Sequence, residues 1–481
     1  MVSLPAAQPH APYASVAIPD VPHILQEPDF CGEACLAMYL QKLGRRVAQD
    51  DVFNSSGLDP MLARGCYTRD LVRAAENLGF RPGAIYYRIS RDHAAADVEA
   101  QWKALHADLL AGIPSVVCMH FDEGPGAPEH FRLVLGYDAA SDTVIFHDPA
   151  VADGSYKRMP RSTLLALWPL SGGSQATVIR LRLEQDRERA GAGGPSAKGT
   201  VPFSSRPSEA WYPNWDSPRS GSFSAADFAQ HLMRLKRKVP AQGFTILLAP
   251  PFVVIGDESP DEVRRQTEGT IKWTTRQLKT IYFSKDPQTI IDIWLLKDDE
   301  SYRKQCRSIC HNTPDTPFGF YSPSDQALIM NIATGGGTLV HEMVHPFVAT
   351  NFPHCPAWFN EGLASLYEKC GEKDGEIYGY TNWRLRGLQE AIRQKRVPRF
   401  ETLCTRTDAE FYGHNTGVNY ATARYVCYYL QEHGLLKKFY RRFHDTSKQD
   451  HSGYYALKAV LGREDMDAFQ KEWEAYVLKL R

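Results

Sequence analysis

The pattern HEMVH at 341–345 combines the residue types that hold a catalytic metal ion. On a helix, His341 and His345 lie one turn apart on the same face, so both imidazoles can reach one ion. Glu342 lies beside them, where it can deprotonate a water molecule on the metal rather than bind the metal. Zinc lowers the pKa of such a water towards roughly 7. The pattern therefore predicts metal-assisted hydrolysis.

A catalytic zinc site also needs a third protein ligand and an open fourth position. The stretch WFNEGLASLYE at 358–368 supplies Glu361, on a helix that Pro356 can help to start. The residues between the two motifs are enough for a turn and a return. We therefore predict one catalytic zinc ion held by His341, His345 and Glu361.

HEMVH and WFNEGLASLYE together resemble the gluzincin metallopeptidases, which bind zinc through two His and a downstream Glu. The resemblance covers roughly 240–435. It implies a mixed sheet with an edge strand over a mainly helical half that carries the HExxH motif. GFYSPSDQALIMNI at 319–332 is the matching edge strand, which would pair with peptide backbone. The chain lacks the Gly-Ala-Met-Glu-Asn motif of related aminopeptidases, so we expect an endopeptidase.

The gluzincin resemblance also implies a group that stabilises the oxyanion, about sixty residues after the glutamate ligand. Tyr420, in GVNYATARYVCYYL, fits this position best, with Tyr380 and His414 as alternatives. A core tyrosine is an equally good explanation of Tyr420. Its role in the oxyanion site is therefore an expectation that needs a geometric test.

A second set of reactive residue types lies in the first half of the chain. Cys31, in LQEPDFCGEACLAMYLQKLG, stands at a predicted helix start, where backbone N–H groups and the helix dipole favour a thiolate. Gln26 precedes it and could donate to an oxyanion. His130 opens one predicted strand and Asp148 ends the next. A thiolate, an imidazole base and an orienting carboxylate together predict acyl transfer.

This set resembles the papain-like peptidases that process bacteriocin leaders at double-glycine sites, and their wider relatives. Their pattern is Gln, then Cys-Gly-x-Ala at a helix start, later His-Phe at a strand start, then Asp-Pro. All four pieces occur here in order, across about 21–180. Cys35 is interpreted as a buried core thiol and His147 as a solvated strand residue. The alternative is a degenerate papain-like domain that binds peptide without cutting it.

The surrounding patterns predict the elements that position these residues. In the first half they predict a helix at 31–44 and strands at 115–121, 130–138 and 143–149. In the second half they predict strands at 244–255, 289–296 and 319–332, and helices at 338–350, 357–371, 382–394, 418–433 and 463–480. GGG at 335–337 would give the zinc helix a flexible entry, with Thr338 as its N-cap.

The length of the chain, 481 residues, is about three times that of a typical domain. We predict an α+β fold of two domains, a papain-like lobe followed by a gluzincin lobe. The predicted segments are a flexible leader at 1–20, the papain-like domain at 21–185, a Gly/Pro/Ser-rich linker at 186–222 and the gluzincin domain at 223–481.

Charge and hydropathy exclude several classes of partner. The 55 basic and 56 acidic residues give a net charge of −1, which argues against nucleic acid and against polybasic membrane binding. The amino terminus has no recognisable secretion signal, and no run approaches 18 apolar residues. We therefore expect a cytoplasmic protein whose ten cysteines are free thiols.

The leading hypothesis is a two-headed peptidase that acts on peptides or proteins, with a zinc-hydroxide endopeptidase site and a Cys-His-Asp thiol site. One alternative is an active zinc peptidase whose papain-like lobe only binds a peptide or a partner. Another is a non-catalytic interaction protein with two decayed peptidase lobes. GAGG at 191–194 is a small-residue sequence that a double-glycine peptidase could cut, although Pro195 argues against cleavage there.

Overall fold

The computed structural model describes residues 13–172, 175–184, 223–311, 313–413 and 415–481. Within this part of the chain, the contacts between residues form two compact units, each with mixed α+β structure. The predicted linker at 186–222, including GAGG at 191–194, lies outside the described residues. No described helix combines the length and the apolar character that are needed to cross a membrane.

The first unit is built around an antiparallel sheet. Its strands are β1 (Val16–Ala17), β2 (Arg81–Pro82), β3 (Tyr86–Ile89), β4 (Ser115–His120), β5 (Glu129–Asp138), β6 (Thr143–His147), β7 (Lys157–Pro160), β8 (Leu170–Gly172), β9 (Gln175–Leu181) and β10 (Leu183–Glu184). Its helices are α1 (Cys31–Lys42), α2 (Gln49–Ser56), α3 (Thr68–Asn77), α4 (Ala94–Leu110), α5 (Arg161–Leu167) and α6 (Ala225–Leu235), with a 3-10 turn at Pro60–Leu62.

The strand order of this sheet is β3-β9-β4-β5-β6-β7, with β1 added beside β5 and β8 beside β9. The predicted strands at 115–121, 130–138 and 143–149 are confirmed as the neighbours β4, β5 and β6. Apolar side chains cover both faces, because Leu36 and Leu40 of α1 pack in the same core as Val116 and Leu133. The sheet therefore gives a rigid support to His130, in β5, and to Asp148, directly after β6.

The first unit extends beyond the predicted boundaries at both ends. Residues 16 and 17, predicted to lie in a flexible leader, pair with β5. Helix α6, predicted to open the second domain, packs on the first unit through its small residues. There Ala226 N–H donates to Asn54 Oδ1 at 2.9 Å, and Gln230 Nε2 donates to Pro28 O at 3.0 Å. The apolar face of α6 predicts a packed helix, but periodicity does not identify the partner surface, so the sequence did not show which unit this helix joins.

The second unit combines a mixed sheet with a larger helical part. Its strands are β11 (Thr245–Ala249), β12 (Phe252–Gly256), β13 (Ile291–Leu296), β14 (Gly319–Ser322), β15 (Ala327–Asn331), β16 (Cys370–Lys373) and β17 (Glu376–Gly379). Its helices are α7 (Pro260–Gln266), α8 (Trp273–Ile281), α9 (Asp299–Cys310), α10 (Gly337–Asn351), α11 (Ala357–Leu366), α12 (Arg384–Arg393), α13 (Phe400–Thr405), α14 (Asp408–Tyr412), α15 (Thr416–Glu432), α16 (Leu436–Thr446), α17 (Tyr454–Leu461) and α18 (Met466–Lys479). A π-helical segment at Thr267–Lys272 joins α7 to α8, and a 3-10 turn spans Ile332–Thr334.

The strand order β11-β12-β13-β15-β14 leaves β14 at one edge of the mixed sheet. The prediction of one strand at 319–332 is wrong, because this segment is a hairpin. Its turn begins at Pro323, and Gln326 has a φ of 53°, which an extended strand cannot contain. The predicted strand at 244–255 is likewise a hairpin, β11 and β12, which turns at two prolines. The edge strand is therefore only the first arm, Gly319–Ser322.

Candidate active sites

Helix α10 presents both predicted histidine ligands on one face. The rings of His341 and His345 lie 5.0 Å apart, between centroids. The helix begins at Gly337, where a Cβ atom would lie 2.1 Å from the backbone oxygen of Glu368. Glycine is therefore required for this close packing of the helix start. The predicted cap by Thr338 is wrong, because the residue before Gly337 is the N-cap and no side chain caps the helix.

Glu361 reaches the two histidines from α11, the next helix. Its Oε2 atom lies 3.1 Å from His341 Nε2 and 3.8 Å from His345 Nε2. One ligand atom from each of the three residues lies within 4.8 Å of the others. Glu361 Oε2 is buried and has no well-oriented hydrogen-bond partner among the described residues. These three residues form a group that could hold a metal ion.

Polar partners on the far side of each imidazole orient the two rings. His345 Nδ1 lies 3.0 Å from Asn360 Oδ1. His341 Nδ1 lies 3.4 Å from Glu368 Oε1, which is an ion-pair distance without hydrogen-bond geometry. Arg384 donates to both oxygens of the Glu368 carboxylate, at 2.9 and 2.7 Å. These contacts leave both Nε2 atoms for the shared site and favour one ring orientation.

The electrostatics of the group favour a cation. Burial disfavours the imidazolium, but the carboxylates of Glu361 and Glu368 raise the pKa of His341 to about 10. Burial would raise the pKa of Glu361, but the adjacent imidazole of His341 and the charge of His345 lower it to about 2. A site that holds a proton this strongly offers an anionic environment for a metal cation.

Glu342 lies between the ligand group and the edge strand. Its Oε2 atom is 4.0 Å from His345 Nε2 and accepts a hydrogen bond of 3.1 Å from the backbone N–H of Tyr321 in β14. The carboxylate lines an open cavity of about 480 Å³ together with the three ligand residues. Glu342 is therefore held at the position that a general base beside a metal would need.

Two tyrosines approach Glu361 from the opposite wall of the cavity. Tyr412 donates from its hydroxyl to Glu361 Oε1 at 2.7 Å. Tyr420 also lines the cavity, and burial, followed by the Glu361 carboxylate, raises the pKa of its hydroxyl. Tyr380, the first alternative, is not among the residues that line the cavity. His414, the second, lies outside the described residues.

Cys31 is the first residue of α1, as the sequence predicted. A Cβ atom on Gly32 would lie 2.6 Å from Leu71 Cδ1, so the residue after Cys31 must be small. Burial raises the pKa of the Cys31 thiol to about 11, and the backbone N–H of Phe131 lowers it only in part. The expected effect of the helix start on the thiol is therefore outweighed by desolvation.

His130 and Asp148 form a direct pair on the neighbouring strands. His130 Nε2 lies 2.8 Å from Asp148 Oδ1, and Arg132 Nε donates to the other carboxylate oxygen at 2.9 Å. Burial would raise the pKa of Asp148, but His130 and Arg132 hold it well below its usual range. The Asp148 carboxylate thus fixes the orientation of the His130 ring through Nε2. The other ring nitrogen of His130, Nδ1, does not bond to Asp148. Within the described residues, no hydrogen bond joins Cys31 to His130.

Gln26 lies close to this pair along the chain that precedes α1. Its backbone N–H donates to Pro149 O at 2.9 Å, one residue beyond Asp148. Its Oε1 atom is buried and has no hydrogen-bond partner in the described part of the chain. The backbone bond places Gln26 beside the segment that carries Asp148, while the oxyanion role, which requires its Nε2 donor, stays a prediction.

His147 and Cys35 test two minor interpretations. The solvated position predicted for His147 is wrong, because this residue is fully buried. Its Nδ1 atom accepts from Tyr156 N–H at 2.9 Å, and its Nε2 atom lies 3.0 Å from Val21 O. His147 therefore ties the segment before α1 to the sheet. The buried core position predicted for Cys35 is confirmed.

Comparison with known proteins bears on the first unit. Residues 18–176, about a third of the chain, match the family model described as the Peptidase_C39 like family. No curated protein matches this chain. The matched segment contains Cys31, His130, Asp148 and Gln26. The first unit is thus similar to this peptidase family, which supports a papain-like cysteine peptidase domain and peptidase activity in this region.

Proposed function

We propose that this chain is a two-headed peptidase, with a zinc endopeptidase site in its second unit and a Cys-His-Asp thiol site in its first. The observation that carries the proposal is the convergence of His341, His345 and Glu361 beside Glu342. The thiol site rests on the His130–Asp148 pair and on the family match. The proposed substrates of both sites are peptides or proteins.

Zinc is the ion that we propose for the second unit. Two imidazoles and one carboxylate form a ligand set of catalytic zinc, and ligand atoms in a tetrahedral zinc site lie about 3.3 Å apart. The distances from Glu361 Oε2 to the two Nε2 atoms, 3.1 and 3.8 Å, are close to that value. The unsatisfied Glu361 Oε2 atom also fits a cation. A bound zinc ion would supply Lewis-acid polarisation of the scissile carbonyl and a lowered pKa for a water molecule.

Glu342 is the proposed general base of the zinc site. Its carboxylate takes a proton from the attacking water and passes it to the leaving amine. Tyr412 commits its only hydroxyl proton to Glu361 and so positions that ligand. Tyr420 also faces Glu361, whose carboxylate contributes to the raised pKa of the Tyr420 hydroxyl, and we propose that this hydroxyl turns to the developing oxyanion when substrate binds. Strand β14 would pair with the peptide backbone beside the scissile bond.

At the thiol site, His130 is the proposed base and acid. Its Nδ1 atom takes the proton of Cys31, and the sulfur then attacks the scissile carbonyl to form an acyl-enzyme. Gln26 donates to the oxyanion, and His130 returns the proton to the leaving amine. Water then hydrolyses the thioester, with His130 again as base. Asp148 holds the ring in the required orientation throughout.

Cleavage of a diverse peptide library tests the proposal, with products read by mass spectrometry. We expect Glu342→Gln to retain zinc and to lose one set of cuts by roughly 10²- to 10⁴-fold. Cys31→Ala should lose a different set. Glu464→Gln, at an exposed carboxylate that pairs with Lys458, is the matched control and should behave as wild type. Full activity of Glu342→Gln would refute the zinc mechanism.

A second candidate function keeps only the zinc site active, while the first unit binds a peptide or a partner protein. The raised pKa of Cys31 and the missing bond to His130 favour it. The loss of cuts in Cys31→Ala decides between the two candidates. Alkylation by iodoacetamide at pH 6 adds a test for a resting thiolate, because a thiolate reacts fast and a neutral buried thiol does not. Rapid alkylation of Cys31 supports two active sites. An inert Cys31, with no cut lost in Cys31→Ala, supports one.

Metal content separates both candidates from a non-catalytic protein with two decayed lobes. We expect about one zinc per chain by elemental analysis after dialysis, and loss of zinc in His341→Ala. No retained metal would favour the non-catalytic alternative.

Two further proposals concern the partners and the location of the protein. We propose no nucleic-acid or membrane partner, in agreement with the balanced charge, and a cytoplasmic location. Self-cleavage at GAGG, 191–194, is a further proposal for the thiol site. Intact mass after long incubation tests it, with Cys31→Ala as control. A wild-type chain that stays uncut contradicts it.

A further inference from the structure

Helix α16 has one apolar face and one basic face. Its buried side chains lie three or four residues apart and so share one side of the helix: Leu436, Phe439, Tyr440 and Phe443. The opposite side carries exposed cations, which continue into the turn after the helix: Lys437, Lys438, Arg441, Arg442 and Lys448. Asp445 is the one acidic residue in 436–449. This face is therefore strongly positive, although the whole chain has a net charge of −1.

Most cations of the basic face lack a carboxylate partner. Lys437 pairs with Glu376, and Asp445 lies 3.2 Å from the ring of its neighbour His444. Among the residues that the structure describes, four cations form no ion pair or hydrogen bond through their side chains: Lys438, Arg441, Arg442 and Lys448. Exposed arginines on other helices of the second unit pair with a carboxylate three or four residues away: Arg265 with Glu262, Arg303 with Asp299 and Arg393 with Glu390.

The unpaired cations are placed against the electrostatics of their own helix. Lys437 and Lys438 lie in the first turn of α16, where the helix dipole favours anions. Lys438 is also three and four residues from Arg441 and Arg442, and like charges at this spacing destabilise a helix. Residues that break a local rule in this way are typical of functional surfaces. The basic face is therefore a candidate site for an external anion.

The packed face of α16 connects the helix to the metal group. Phe443 contacts Phe352, directly after α10, and Phe439 contacts Phe359 of α11, with ring centroids 4.9 and 5.0 Å apart. Helices α10 and α11 carry the three candidate metal ligands. The basic face thus lies about one helix diameter, roughly 10 Å, beyond these two helices. An extended peptide spans that distance with about four residues.

We propose that the basic face of α16 binds an acidic segment of the polypeptide that the zinc site cleaves. The inference rests on the proposed zinc peptidase function and names the class of its substrate. This class is proteins with several Asp or Glu residues about four or more residues from the scissile bond. Clusters of arginine and lysine recognise such acidic motifs. One exposed charge pair contributes little, but the four unpaired cations together should tighten binding about 10- to 100-fold at low salt.

The first test measures binding without turnover. The zinc-loaded full chain with Cys31→Ala and Glu342→Gln binds fluorescein-labelled decaglutamate, and anisotropy gives the dissociation constant. Removal of the unpaired charges should raise this constant about 10- to 100-fold at about 50 mM salt, and much less at about 500 mM: Lys438→Gln, Arg441→Gln, Arg442→Gln and Lys448→Gln together. The matched control removes four exposed cations from other helices of the unit and should bind like its parent: Arg264→Gln, Arg393→Gln, Lys471→Gln and Lys479→Gln.

A charge-reversed variant distinguishes binding from a structural role. It should lose decaglutamate and gain affinity for decalysine, an exchange that misfolding cannot produce: Lys438→Glu, Arg441→Glu, Arg442→Glu and Lys448→Glu together. Decaglutamate binding that neither variant changes would overturn the proposal. Binding that is confined to single-stranded DNA or to phosphatidylglycerol vesicles would overturn it as well, because the partner would then belong to another class.

Cleavage connects the basic face to the zinc site. In the Cys31→Ala background, one sequence whose cleavage depends on Glu342 is extended at either end by Glu residues or by Gly-Ser residues. The acidic extension should lower KM about 10-fold with little change in kcat, and removal of the four charges should abolish the difference. Equal KM values for both extensions contradict the proposal. Charge-dependent decaglutamate binding without any Glu342-dependent cut would retain the acidic-segment site and overturn the zinc peptidase function instead.

Discussion

Burial affects the ionisable residues differently in the two candidate sites, the metal group (His341, His345 and Glu361) and the thiol group (Cys31, His130 and Asp148). Around His341 the carboxylates of Glu361 and Glu368 stay ionised, because imidazole and guanidinium groups hold their pKa values near 2. Around Cys31 burial prevails, and it raises the pKa of the thiol to about 11 and that of Glu33 to about 7. The first group could therefore hold a cation, whereas the thiol of Cys31, the proposed nucleophile, stays neutral near pH 7.

The difference indicates where each site depends on its neighbours. A metal group works when several donors converge, so its weak points are the residues that aim the donors. A neutral thiol works only when a base removes its proton, so its weak point is the orientation of His130. Asp148 and Arg132 provide that orientation here. Substitution of an orienting residue should therefore reduce the activity of its own site and leave the activity of the other site unchanged.

The largest effect is expected from Asp148→Asn at the thiol site. The amide oxygen can still accept from His130, but the amide lacks the negative charge that stabilises the imidazolium and that pairs with Arg132. We expect Cys31-dependent cleavage to fall on the order of 10³- to 10⁴-fold, measured as kcat/KM in a Glu342→Gln background. Asp153→Asn, at an exposed nearby carboxylate, is the control. A thermal melt must show a folded protein, since Arg132 also loses its partner.

Tyr420→Phe should give the next largest effect, at the zinc site. Removal of one oxyanion donor costs about 10²- to 10³-fold in kcat, while KM and zinc affinity should change little. Tyr412→Phe should instead weaken zinc binding, because its hydroxyl holds Glu361. Tyr429→Phe, on the same helix as Tyr420, serves as the control. If the two active-site variants lose the same property, the division of roles between the tyrosines is wrong.

Glu368→Gln should produce a smaller effect that is confined to metal affinity. The neutral amide orients His341 less firmly and contributes no charge, so zinc affinity should fall about 10- to 100-fold. Competition with a chromophoric chelator measures the change. The exposed Glu401→Gln should keep wild-type affinity. Unchanged affinity in Glu368→Gln would mean that the 3.4 Å contact with His341 does not contribute to metal binding.

Motifs and local periodicity predicted the parts of the sites that lie within one element. HEMVH requires only a helix, and α10 provides it. The strands that carry His130 and Asp148 follow from runs of β-branched and aromatic residues between turn residues. In the second unit, by contrast, the strand prediction at 319–332 overlooked the turn signal Pro-Ser-Asp at 323–325, which turns the edge strand back.

The orienting residues could not be predicted in the same way. Arg384, Glu368 and Tyr412 come from separate segments, and only tertiary packing brings them to the ligands. Asn360 is the exception, since it precedes Glu361 in NEGLA and a polar residue there could have been suspected. His147 shows the opposite problem: the sequence predicted a solvated strand residue, yet contacts with the backbone of Val21 and Tyr156 hold it in the core.

The last prediction concerns Glu33, whose titration measures how strongly burial disfavours a charged carboxylate in the first unit. Burial raises its pKa to about 7, although Cys66 N–H donates to its Oε1 atom at 2.7 Å. A carboxyl pKa above its unfolded value of about 4.3 means that the folded protein binds the proton more tightly. The contribution of Glu33 to the free energy of unfolding should therefore be largest at low pH. It should fall as the pH rises from about 4.3 to about 7 and stay low above pH 7.

Glu33→Gln removes this titration and keeps an oxygen that can accept from Cys66. Above pH 7 the variant should be more stable than wild type by about 1 to 3 kcal/mol, a rise of several degrees in one thermal transition of the full chain. Near pH 4 the two proteins should melt together, and the exposed Glu27→Gln should follow wild type at both pH values. A Glu33→Gln variant that is destabilised equally at both would show that Glu33 is held as a paired anion. The two sites would then treat buried carboxylates alike, and the contrast between them would rest on Cys31 alone.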